Sequence, residues 1–145
     1  MRTFIAIFLM LGSWVVWAAP VQITHNGLRL NANWERASGS QVKPRLYLLL
    51  HGTLAHNKME IIHELQQRLS QAGQDSLAIN LSLGVDNRTS EMYPCATPHR
   101  HQHQDAVAEI GAWLAWAKQQ GVRQVTLVGH SRGGNQAAWA AATLP

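Results

Sequence analysis

The hexapeptide Gly129-His130-Ser131-Arg132-Gly133-Gly134 sets a hydroxyl among glycines. It joins an apolar run, Val125-Thr126-Leu127-Val128, to a small-residue stretch from Arg132 to Thr143. A serine hydroxyl is a poor nucleophile at neutral pH and needs both a base and an exposed oxygen. A sharp strand-to-helix turn supplies the exposure by lifting Oγ above the sheet. In such a turn a side chain at position 129 or 133 would meet neighbouring backbone. The helix that follows aims its first N–H groups and the positive end of its dipole at the same spot. The N–H of Arg132 then stands where an oxyanion would develop.

The elements that must hold this turn can be read from periodicity. Residues 21–34 alternate apolar and polar on both sides of Asn26-Gly27, which predicts an antiparallel hairpin with a tight turn. Arg45–Leu50 is a continuous apolar run, as expected of a strand buried on both faces, and His51-Gly52 ends it. Asn57 followed by Glu60 reads as a capping box for a helix carrying Met59, Ile62, Leu65 and Leu69 on one face, closed by Gly73. A strand is expected over 76–83, and a long loop from Gly84 to about His101. A helix over about 102–120 follows, with Val107, Ile110, Trp113, Leu114 and Ala117 inward. The next buried strand is Val125–Val128, and the last helix starts at Arg132. Strands alternating with helices predict an α/β fold: a mostly parallel sheet with helices on both faces and an antiparallel hairpin at its N-terminal edge.

This arrangement resembles the α/β-hydrolase family. The likeness extends over the whole chain from about residue 19: the antiparallel start, the apolar strand ending in His51-Gly52, and the elbow Gly129-His130-Ser131-Arg132-Gly133-Gly134. It implies a serine hydrolase of esterase or lipase type, working through a Ser131 acyl-enzyme without a cofactor. It also implies that the turn after the His-Gly strand gives the second oxyanion donor, the N–H of Thr53, with Leu54 as the next candidate. A non-catalytic turn on the same scaffold, in an envelope binding protein, is the alternative.

A working triad also needs a histidine and an acid, which in this family follow the serine in the order Ser, Asp or Glu, His. After Ser131 the sequence has no Asp, Glu or His. His130 is adjacent, but on a strand its side chain points to the opposite face from its neighbour's. His51 and His56 are expected to hold the oxyanion loop by hydrogen bonds. The expectation is therefore the N-terminal part of a hydrolase, with nucleophile and oxyanion donors but no base or acid, and with little activity as a 145-residue chain. In such a part Val125–Val128 would form an open sheet edge.

A second constellation is His99-Arg100-His101-Gln102-His103-Gln104-Asp105. Three imidazoles in five residues can bind zinc, and His101-x-His103-x-Asp105 matches the start of a zinc-hydrolase pattern, although Ala106 stands where that pattern needs histidine. On a helix only His99 and His103 would share a face. The competing reading is a polar loop entering a helix, with Asp105 favoured by its dipole. The loop 84–98 is expected to border the site, with Met92 and Tyr93 in reach of substrate, and Cys95 reads as a loop thiol.

Composition bounds the rest. The chain is 46% hydrophobic and 14% charged, which fits one globular domain. One cysteine excludes an intrachain disulfide. Net charge is +4 with the basic residues scattered, which argues against nucleic-acid binding and allows at most weak attraction to a membrane surface. Residues 1–18 have a basic n-region at Arg2, an apolar stretch and a small residue at the end, the pattern of a secretory signal cut after Ala18 or Ala19. An uncleaved anchor helix is the alternative. Removal of the signal would leave no membrane span and an exported protein, periplasmic or secreted, acting on a small-molecule or lipid ester.

Overall fold

The computed structural model describes residues 18–37 and 41–145. The proposed signal sequence falls almost entirely outside them. Five strands and three helices follow in the order β1 (Ala19–His25), β2 (Leu28–Glu35), β3 (Arg45–Leu50), α1 (Glu60–Gln71), β4 (Asp75–Asn80), α2 (His103–Gln119), β5 (Gln124–Gly129) and α3 (Arg132–Thr143). They form one sheet in the order β1-β2-β4-β3-β5. The first two pairings are antiparallel, and β3 runs parallel to both β4 and β5.

The hairpin forms as its sequence predicts. Asn26 (φ 48°) and Gly27 (φ 77°) both adopt positive φ, and His25 pairs with Leu28 across the turn. Strand β3 is buried on both faces: Leu46, Leu48 and Leu50 join the core beneath α2 and α3, while Leu49 joins the smaller core beneath α1. At about 2 kcal/mol for each buried leucine, this strand anchors the sheet. Ile110, Trp113 and Ala117 of α2 are fully buried. Trp116 stands edge-on to Trp34 at 5.0 Å, tying α2 to the hairpin.

Strand order explains where a site can form. The connection from β3 runs through α1 to β4 on one side. The connection from β4 crosses β3 and returns as β5 on the other side, so β3 and β5 are neighbours whose following loops diverge. A crevice opens beyond the carboxyl ends of such strands. Among the described residues no helix is long and apolar enough to cross a membrane.

Three sequence expectations need correction. Strand β4 stops at Asn80, not residue 83, because side chains take the next amides: Leu81 N–H donates to His51 Nε2 at 3.1 Å and Ser82 N–H to Glu109 Oε2 at 2.9 Å. Asn57 does not cap α1, which begins three residues later. Its Nδ2 donates to the Ala78 carbonyl at 3.1 Å and its Oδ1 accepts from Ser90 Oγ, so its hydrogen-bonding capacity goes to the sheet end and the long loop. Strand β5 is only half buried rather than buried, because it is the outermost strand, as the expected open edge implies, flanked by an apolar groove lined by Leu114, Val125, Leu127, Ala141 and Leu144.

Candidate active site

Ser131 occupies the bend between β5 and α3 at φ 54°, ψ −124°, a conformation L residues rarely adopt, and its side chain is exposed. Strain of this kind persists only where the surroundings dictate it. They do so through glycines. A Cβ on Gly129 would collide with the carbonyl group of Gly133, and one on Gly133 would stand 2.5 Å from the His51 carbonyl oxygen and 2.7 Å from that of Leu50. The elbow is thus wedged against the end of β3, and His130 N–H donates to the Leu50 carbonyl at 3.0 Å. Gly134 is less constrained, with its nearest backbone atom 3.3 Å from a Cβ position.

The turn after β3 meets this bend. A Cβ on Gly52 would lie 3.2 Å from Ser131 Cβ and 3.4 Å from His130 Nδ1, so a larger residue here would push on both side chains. Thr53 and Leu54 follow in a turn closed by Ala55 N–H donating to the Gly52 carbonyl at 3.3 Å, with Leu54 at φ 53°. Thr53, Leu54, Arg132 and Gln136 line one small cleft. No acceptor among the described residues engages the N–H of Thr53 or Arg132. Arg132 directly follows the exposed Ser131 and shares the cleft lining with Thr53; main-chain N–H groups stabilise a tetrahedral oxyanion when they converge on it.

The histidines take other roles. His51 is buried, with Nε2 accepting from Leu81 N–H and Nδ1 2.9 Å from the Gly52 carbonyl. The first bond requires a bare Nε2, so the proton sits on Nδ1 and is donated to Gly52. Burial, reinforced by the positive field of Arg88, lowers its pKa to about 4. Neutral and engaged at both nitrogens, His51 braces the turn and cannot accept a proton from Ser131. His56 Nδ1 accepts from Lys58 N–H at 3.2 Å, a bond local to its own turn. No described histidine hydrogen-bonds to Ser131 Oγ.

The histidine cluster is dispersed. His101 is buried with Nε2 3.0 Å from Glu109 Oε1, and Glu109 also accepts from the N–H and hydroxyl of Ser82. His103 lies edge-on to Trp139 and His99 edge-on to Tyr93. Asp105 lies in the first turn of α2 and accepts from Gln102 N–H at 2.7 Å. His99 precedes α2, so it shares no helical face with His103. Among the described residues no three metal-ligating side chains converge. Tyr93 borders the oxyanion turn through its N–H, which donates to the Leu54 carbonyl at 2.8 Å, whereas Met92 is 55% exposed. Cys95 is an exposed free thiol.

Sequence reasoning missed Arg88 and Glu109, two charged residues buried beside the site. Their only sequence signal is weak: Glu109 falls on the apolar face of α2, next to Ile110.

Comparison with known proteins agrees with this geometry. A family profile described as alpha/beta hydrolase fold matches residues 47–145. No curated protein matches the chain. Among solved structures, Est1E from Butyrivibrio proteoclasticus is similar at a TM-score of 0.68 and 24% identity, over 85% of this chain and 45% of its own. A cold-adapted esterase from an Arctic intertidal metagenomic library gives 0.68 and 24%, over 86% and 55%. Dienelactone hydrolase from Anabaena variabilis gives 0.70 and 21%, over 90% and 59%. At such identities the likeness establishes the fold, and the chain spans about half the length of these proteins.

Proposed function

Because the chain belongs to the alpha/beta hydrolase fold family, we propose that it is the nucleophile-bearing part of an exported serine hydrolase that cleaves esters. Ser131 Oγ attacks the ester carbonyl carbon and gives up its proton to a base. The carbonyl oxygen becomes an oxyanion held by the N–H groups of Thr53 and Arg132. Collapse expels the alcohol and leaves an acyl-enzyme, which water hydrolyses through a second oxyanion in the same cleft. No cofactor enters this sequence.

One observation supports the reading: Ser131 is exposed at positive φ on a bend packed so closely against the turn after β3 that a Cβ on Gly52 would lie 3.2 Å from its Cβ. No Asp, Glu or His follows Ser131 in the sequence, and the chain spans about half the length of the matched structures. His51 and His101 are engaged elsewhere, whereas His99, whose Nδ1 is buried without a partner, lines the same cleft as Thr53 and Arg132. Export rests on the pattern of residues 1–18, and N-terminal sequencing of the mature protein tests it. The substrate is a small-molecule or lipid ester, with membrane contact limited to weak surface association.

Hydrolysis of a chromogenic short-chain ester by the full-length protein tests the proposal. Ser131→Ala should lower turnover by about 10³-fold or more with the fold intact. Unchanged turnover in that variant overturns it, and the absence of turnover and covalent labelling alike favours a binding protein.

A further inference from the structure

Arg88 lies in the loop after β4, only 6% exposed, and among the described residues it has no carboxylate partner. It is held by oxygens of uncharged groups from three separate segments. Nη1 donates to Asn80 Oδ1 and to the Leu81 carbonyl, both at 2.9 Å. Nη2 donates to the carbonyls of Ala55 at 2.7 Å, Glu91 at 3.1 Å and Leu54 at 3.4 Å. Asn80 completes the joint, its Nδ2 donating to the carbonyls of Arg88 and Thr89, each at 3.0 Å.

A buried cation is costly, and a planar guanidinium is suited to such a place because it presents several donors in fixed directions. Here those directions lock the residues just after the oxyanion donors. Leu54 sits at φ 53°, and its carbonyl accepts from both Arg88 and Tyr93 N–H. The carbonyls of Leu54 and Ala55 belong to the 54–55 and 55–56 peptide planes, so Arg88 holds the far side of the turn, while the plane that carries the Thr53 N–H is held at its Gly52 carbonyl by His51 and Ala55 N–H. The oxyanion turn is therefore held from two sides, by His51 beneath Gly52 and by Arg88 behind Leu54 and Ala55.

We infer that Arg88 is a positioning residue for the oxyanion hole, aiming the Thr53 N–H at the carbonyl attacked by Ser131. The inference rests on the hydrolase reading given above. It assigns the orientation of the hole to a side chain that touches neither substrate nor nucleophile.

The test is the second-order rate at which a fluorophosphonate labels Ser131 in the full-length protein, measured beside thermal stability. The phosphonate oxygen occupies the position of the oxyanion, so this rate reports the hole. Arg88→Met and Arg88→Lys should each label about 10²-fold more slowly while still folded, because a misaimed donor acts like a missing one. In an Arg88→Ala variant, added ethylguanidinium should restore part of the rate, a recovery that a loss of stability alone does not show. Labelling of folded Arg88→Met or Arg88→Lys within threefold of the parent overturns the inference and leaves the hydrolase reading intact. So does failure of all three variants to fold, which makes Arg88 a folding residue. A parent protein that does not label at Ser131 instead sinks the hydrolase reading, and the inference with it.

Discussion

Gly52 and Ser131 stand so close that a Cβ added to the glycine would lie 3.2 Å from the Cβ of the serine. They lie in the turns after different strands, β3 and β5, seventy-nine residues apart in sequence. Their contact is what turns two ordinary strand ends into one site, and it ranks the glycines around it by what each can tolerate.

Gly133→Ala should cost about 3 kcal/mol or more, since its Cβ would press on the backbone carbonyls of β3, which cannot move aside. Gly134→Ala, whose nearest neighbour is 3.3 Å away, should cost less than about 1 kcal/mol. Gly52→Ala should fall between them in stability yet lose most labelling at Ser131, because the methyl displaces the nucleophile. Denaturant unfolding of the three variants checks the order, and equal costs for Gly133→Ala and Gly134→Ala would contradict the wedged elbow.

Ser131 holds a backbone conformation that glycine adopts freely. Ser131→Gly should therefore raise stability by about 1 kcal/mol while removing the nucleophile. A variant less stable than the parent would mean that the hydroxyl has a structural task in place of a chemical one.

The pH dependence of stability follows from His51. Its pKa is lowered to about 4 in the folded protein, first by burial, against an ordinary value near 6.5. The unfolded chain thus binds more protons between these values. The folded state has the full contribution above pH 6.5 and loses it as the pH falls towards 4, about 3 kcal/mol in all. His51→Gln, which can still accept from Leu81 N–H, should flatten this limb of the stability curve. An identical acid limb in the variant would remove His51 as its source.

Glu109 gathers Ser82 N–H, Ser82 Oγ and His101 Nε2 in the interior. Removing it leaves Ser82 N–H and His101 Nε2 buried without a partner, while Ser82 Oγ keeps only the bond it accepts from Gly84 N–H. Glu109→Ala should cost about 2–4 kcal/mol, and Glu109→Gln distinctly less. Thermal melts of both check this, and a neutral Glu109→Ala would show that water reaches the cluster.

Much of this was legible before any coordinates, for identifiable reasons. Asn26-Gly27, the leucine run of β3 and the glycines of the elbow each obey a local rule, and local rules survive folding. What the sequence concealed depends on distant partners. Asn57 carries a helix-cap signal, yet the Ala78 carbonyl and Ser90 compete for its amide and win. Leu81 and Ser82 read as strand, yet His51 and Glu109 take their N–H groups. The spacing of His99, His101 and His103 suggested a shared ligand, whereas each ring meets a different neighbour. Nothing near Arg88 in sequence says that three chain segments will turn their oxygens towards it.

The most direct measurement is a tryptic map of the full-length protein after reaction with a fluorophosphonate. A single phosphonyl adduct on the peptide containing Ser131, absent from Ser131→Ala, is the predicted result. A folded protein that carries no adduct there, or carries it equally in Ser131→Ala, contradicts the assignment of that hydroxyl as the nucleophile.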